Sequence, residues 1–111
     1  LWYILWDKKN KKWILEMPEQ KATLTSVYPV GNSPSYNLVL IEIHSHVDAA
    51  PIFSSTDDED EQGFRIYAVI GQVNDAPLLN VRLGIAGHFC HIPAHLVFDL
   101  PGEIEDIYVN R

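Results

Sequence analysis

His44 and His46 stand two residues apart at the end of the apolar run LVLIEIHSH, Leu38 to His46. On a strand such a spacing puts both imidazoles on one side and turns Ser45 away, so the pair can share a cation. HxH alone also serves ordinary structural roles, because neutral imidazole is a versatile hydrogen-bonding group. A catalytic zinc site takes three protein donors and keeps one position open, so a third donor is required. Asp57, eleven residues beyond His46, can supply a carboxylate whose charge offsets Zn²⁺. Ser54 lies three residues before Asp57, and its hydroxyl could cap the acidic stretch that follows.

The elements that must position these residues read mainly as strands. Trp2 to Asp7 and Lys12 to Met17 are rich in aromatic and β-branched residues and are separated by Lys8, Lys9, Asn10 and Lys11, which predicts a hairpin. Thr23 to Tyr28 can extend that sheet, and Pro29 to Pro34 is dense in turn residues. Leu38 to His46 is too short for a typical helix and reads as a buried strand. Val47 to Thr56 reads as a loop, and Asp57 to Gln62 as the start of a short acidic helix, since carboxylates favour a helix N-terminus. Phe64 to Val73 and Leu78 to Ile85 form a second strand pair turning at Asn74 to Pro77. His88 to Phe98 has no clear period, and a final strand is expected at Ile107 to Val109.

A chain of 111 residues, 47% hydrophobic, can bury one core, so residues 1–111 are expected to form a single domain. Its formal charge of -7 gives no long-range attraction for nucleic acid or an anionic membrane. A lone Cys90 forms no internal disulfide, which fits a reducing compartment, and cytoplasm is the expected location. The opening LWYILW gives way to Asp7 and four lysines, far short of the ~20 apolar residues of a membrane span. The start at Leu1, without an initiator Met or polar lead-in, suggests a missing N-terminal segment. Oligomeric state has no signature here.

The full pattern, His44-Ser45-His46, seven residues, Ser54, two residues and Asp57, resembles the signature of the JAB/MPN family, also called JAMM proteases. From about Leu38 to Phe98, the segments VLIEIHSH, PIFSSTDDEDEQGFRIYAVIG and VRLGIAGHF are similar to bacterial JAB proteins of the plasmid-associated PRTRC type. The resemblance implies an α+β fold, a curved mixed β-sheet flanked by helices in a cytidine-deaminase-like sandwich. It implies a zinc-dependent peptidase or isopeptidase acting on a peptide or ubiquitin-like protein conjugate. His44, His46 and Asp57 would then be the metal ligands and Ser54 the donor to the oxyanion. The alternative is a catalytically incomplete scaffold or binding module of this fold.

The resemblance also calls for a general-base glutamate near the start of an early strand. Glu16, Glu19 and Glu42 do not match that place, and reading LWYILW as the strand puts the glutamate before Leu1. Glu42 shares a strand face with the histidines, so it could orient an imidazole or simply be an internally paired strand glutamate. His88, Cys90, His91 and His95 form a second group of donor types, but His91 opposes His88 and Cys90 on a strand and no second thiolate exists.

Overall fold

The computed structural model describes residues 1–22, 27–29 and 36–107. Strands β1 (Trp2–Asp7) and β2 (Lys12–Glu16) pair as the expected antiparallel hairpin. Asp7 closes the turn by accepting from the backbone N–H groups of Lys9 and Asn10 and from the Asn10 side chain. Trp6 and Trp13 face each other across the pair, edge to face at 5.0 Å. β3 (Gln20–Ala22) and β4 (Val27–Pro29) form a separate two-stranded sheet rather than extending the first one. Residues 23–26, and most of the expected turn region at 30–35, lie outside the described residues.

The histidine strand is β5 (Val39–Ser45), preceded by a 3-10 turn at Tyr36–Leu38. A short helix α1 (Ser55–Asp60) follows, then β6 (Arg65–Gly71), β7 (Leu78–Ile85) and β8 (His88–Ile92). A 3-10 turn at Ala94–Leu96 and the short β9 (Glu105–Asp106) complete the described chain. Residues 108–111, and with them most of the expected final strand at Ile107 to Val109, lie outside the described residues.

The main sheet runs β2-β1-β5-β6-β7-β8, with β9 also paired to β7. β5/β6 and β7/β9 are parallel and the other pairs antiparallel, so the sheet is mixed as expected. The helices expected on its flanks are not evident: among the described residues the one α-helix is the six-residue α1. The reason is visible in the sequence, whose apolar runs are short, rich in β-branched and aromatic residues and broken by turn residues, which favours strands over helices. Among the described residues no helix is long and apolar enough to cross a membrane.

Register assigns the two faces. Ile43, Ala68, Val81 and Ile92 stand in one cross-strand row, and His44, Val69 and Asn80 in the next. Because neighbours along a strand point to opposite faces, the first row belongs to the core and the second to the other side. Ala68, Leu79, Val81 and Ala94 are buried in that core with Ile43, Val97 and Phe98 against them. An apolar groove of about 550 Å³, lined by Ile4, Trp13, Ile41 and Phe98 among others, opens on this same side, away from the histidines. Tyr3, Leu5 and Val39 form a second buried cluster, made possible by a register shift between Ile4 and Leu5.

A parallel pair cannot be joined by a tight turn, so the chain from β5 to β6 must cross the sheet. It does so over the face that carries His44. Pro51 meets Asn80, Asp58 and Glu61 meet Arg82, and Gly63 meets Tyr67.

Candidate metal centre

β5 ends one residue before His46, whose backbone N–H donates to the Ile70 carbonyl at 2.8 Å and continues the parallel pairing. Val47 then takes a left-handed φ of 55°, a costly conformation for a β-branched residue, and turns the chain across the sheet. Bonds from Val73 N to Val47 O and from Gln72 N to Ala49 O fasten this turn to the end of β6. The approach is close enough that a Cβ on Gly71 would lie 2.3 Å from the Ala49 carbonyl oxygen. A second tether comes from buried Asn80, whose amide donates to the Pro51 carbonyl at 2.8 Å.

The loop fixes the imidazole of His46. Its Nδ1 lies 3.0 Å from the Ala50 carbonyl, and because a carbonyl can only accept, Nδ1 carries the proton. Nε2 is left to face inward with a lone pair, the arrangement found in metal-ligating histidines. His44 is held by its strand and by the edge-to-face ring of Phe53 at 6.2 Å.

Helix α1 begins at Ser55, two residues before the expected start, because Ser54 is its N-cap. The Asp57 backbone N–H donates to Ser54 Oγ at 3.1 Å, and the Ser54 backbone N–H donates to Asp57 Oδ2 at 2.7 Å. This reciprocal capping box aims the Asp57 carboxylate at the histidines. Oδ1 lies 3.5 Å from His44 Nε2 and Oδ2 lies 3.8 Å from His46 Nε2. Burial pushes the Asp57 pKa up, but hydrogen bonds from His44 and Ser54 outweigh it and hold it at about 2. The carboxylate is therefore ionised at neutral pH.

The two Nε2 atoms are 3.2 Å apart. Two ring lone pairs cannot face each other at that distance unless a proton or a cation sits among them. Donors bound to tetrahedral zinc at about 2.0–2.1 Å stand roughly 3.3 Å from one another, close to the separations seen here. Residues His44, His46 and Asp57 thus fit a zinc ion, supplying three of the four donors of a tetrahedral site. Among the described residues they are also the group of metal-ligating side chains that converges.

A family model described as prokaryotic homologs of the JAB domain matches residues 3–83. The chain belongs to that family. The JAB match runs from β1 through most of β7 and so contains both histidines, Ser54, Asp57 and the loop that carries them. Neither curated proteins nor solved structures yielded a match.

Of the glutamates weighed for this JAB domain, Glu19 is exposed and Glu16 stands on β2, two strands from His44. Glu42 shares the face of His44, but its carboxylate turns to the Tyr36 hydroxyl and to Arg65, 3.6 Å away. Burial raises its pKa, with Arg65 opposing. The second donor group does not assemble. His91 Nδ1 lies 3.1 Å from Asn80 Oδ1, Cys90 is exposed, and His95 lies 3.7 Å from Asp106.

Three residues of this region were not singled out from the sequence: Phe53, Asn80 and Arg82. A signal existed for two of them. In LLNVRLGI the polar side chains Asn80 and Arg82 alternate with core-facing Leu79, Val81 and Leu83, yet both are buried. Polar residues of one parity on a strand covered on both faces mark partners in whatever lies above. Above them lie Pro51, Asp58 and Glu61. Burial pushes Glu61 up to about 7 despite the Arg82 guanidinium beside it.

Proposed function

We propose that this JAB domain is a zinc-dependent metallopeptidase or isopeptidase, hydrolysing a peptide or isopeptide bond with ubiquitin-like conjugates as its substrate class. The observation that carries the reading is the triangle of His44 Nε2, His46 Nε2 and the Asp57 carboxylate at 3.2, 3.5 and 3.8 Å. When bound, zinc supplies Lewis acidity that brings the pKa of water toward ~7 and polarises a carbonyl.

The chain's own residues do the rest. Asp57 contributes the negative charge that offsets the cation, and its capping box restricts the rotation of its carboxylate. The Ala50 carbonyl keeps His46 in the tautomer whose lone pair points inward. Ser54 uses its oxygen to accept from the Asp57 N–H, which leaves its own O–H free to donate to the oxyanion of a tetrahedral intermediate.

A second reading, a scaffold of the same fold, is favoured by one observation. Among the described residues no glutamate carboxylate joins the His44, His46 and Asp57 group. Peptide and ubiquitin-like conjugates should be offered to the 111-residue chain with zinc and after chelation. Zinc-dependent cleavage supports the enzyme; no cleavage with zinc bound supports the scaffold.

A further inference from the structure

Helix α1 has little to hold it in place. A helix of six residues is far below the length that is stable alone, and α1 has no buried residue and no base in its last turn. Asp60 puts negative charge at the end where the helix dipole disfavours it. Yet Asp57 must be fixed within a few tenths of an ångström to serve as a ligand.

Arg82 on β7 supplies the missing anchor. Its guanidinium is buried between two rings, 3.8 Å from the centre of Phe53 and 3.6 Å from that of Phe89. The plane stacks while its edges donate: Nη1 to Asp58 Oδ1 at 2.7 Å, and Nε and Nη2 to Glu61 Oε1 at 3.3 and 3.1 Å. Only a planar, five-donor cation can stack on both sides and bond outward along its edge. The contacts fall on both sides of Asp57 in the chain: Phe53 just before the cap, Asp58 next to the ligand, Glu61 at the far end of the helix.

The geometry points to Arg82 as a positioning residue that holds Asp57, and with it the capping box, in register with His44 and His46. This rests on the reading of the site as a zinc centre. Loss of an outer partner of a metal ligand commonly weakens metal binding about 10–100-fold.

Arg82→Lys and Arg82→Met in the full chain should be compared with wild type by competition for zinc against a chelator, and by amide hydrogen exchange of residues 55–60 in metal-free protein. Both variants should bind zinc about 10–100-fold more weakly and exchange faster through α1. Val81→Ala, on the opposite face of the same strand, should lower the melting temperature and leave zinc affinity within about twofold, since its cavity lies in the core. If Arg82→Met does not fold, Asp58→Asn combined with Glu61→Gln removes the partners instead and should give the same loss. Zinc affinity of Arg82→Lys within about twofold of wild type, or a loss no larger than that of Val81→Ala, overturns the proposal. Should wild type bind no zinc, the metal reading fails separately, and exchange still decides: unchanged protection of α1 in Arg82→Lys overturns the anchoring role, and faster exchange supports it.

Discussion

On the proposed function, Ser54 would meet two demands with one hydroxyl. As N-cap it accepts from the Asp57 N–H, and as oxyanion donor it would give its proton outward. The two uses employ different parts of the group, so Ser54→Ala should show both losses. Stability should fall by about 1 kcal/mol for the cap. If the chain is the proposed peptidase, kcat should fall roughly a hundredfold or more with zinc still bound. Thermal unfolding, zinc content and turnover on one preparation separate the two; a stability loss without a kcat loss leaves Ser54 as a cap alone. Asp57 makes a second claim testable in metal-free protein. Its folded pKa of about 2 lies below the ordinary 3.8, so between these values the unfolded chain binds more protons and stability rises with pH. The contribution is complete above about pH 4 and is lost as pH falls toward 2. Discounted for solvent screening it is on the order of 1 kcal/mol, so wild type and Asp57→Asn should differ by that much in urea unfolding at pH 5 and converge near pH 2. Parallel curves at all pH values would show that Asp57 is not held ionised by His44 and Ser54. At this scale the sequence was most legible: His44, His46 and Asp57 were marked by donor chemistry and spacing, and they converge. What it hid was the orientation of Glu42, because strand parity places a side chain on a face but does not choose among Tyr36, Arg65 and His44 there.

The site depends on one loop and one helix more than on the strands. The strands were readable because short runs rich in β-branched and aromatic residues, bounded by turn residues, mark a strand with or without knowledge of partners; the hairpin, β5, β6 and β7 all appear within a residue or two of their expected bounds. The helix start was misplaced because the acidic run Asp57 to Glu61 is louder in sequence than the cap before it, and a cap is a reciprocal geometry rather than a composition. The region around Val27 was misassigned because its strand signal cannot say which sheet it joins. For the loop, Gly71 is the element to probe. Gly71→Ala would force its Cβ against Ala49 O and Pro51 N, at 2.3 and 2.7 Å. The substitution should destabilise by about 1–3 kcal/mol and, by displacing Ala50 from His46, weaken zinc binding as well. Thermal unfolding and a zinc titration check this; unchanged zinc affinity alongside lowered stability would show that the loop does not set the imidazole.

As a whole, the molecule divides its labour between two faces of one mixed sheet. One face packs Ala68, Leu79, Val81 and Ala94 into a core, and the other carries a row of buried polar residues that hold the crossing loop and α1 over His44. The flanking helices implied by resemblance were not legible in this chain's own periodicity and are not evident among its described residues. On the proposed function, this second face holds zinc through His44, His46 and Asp57. Elemental analysis of the purified 111-residue chain, alongside His46→Ala, tests it most directly. About one zinc per wild-type chain is expected, as for a single three-donor site, with most of it lost in the variant. Full zinc retention by His46→Ala, or a wild-type chain that takes up no zinc when it is supplied, would contradict the account.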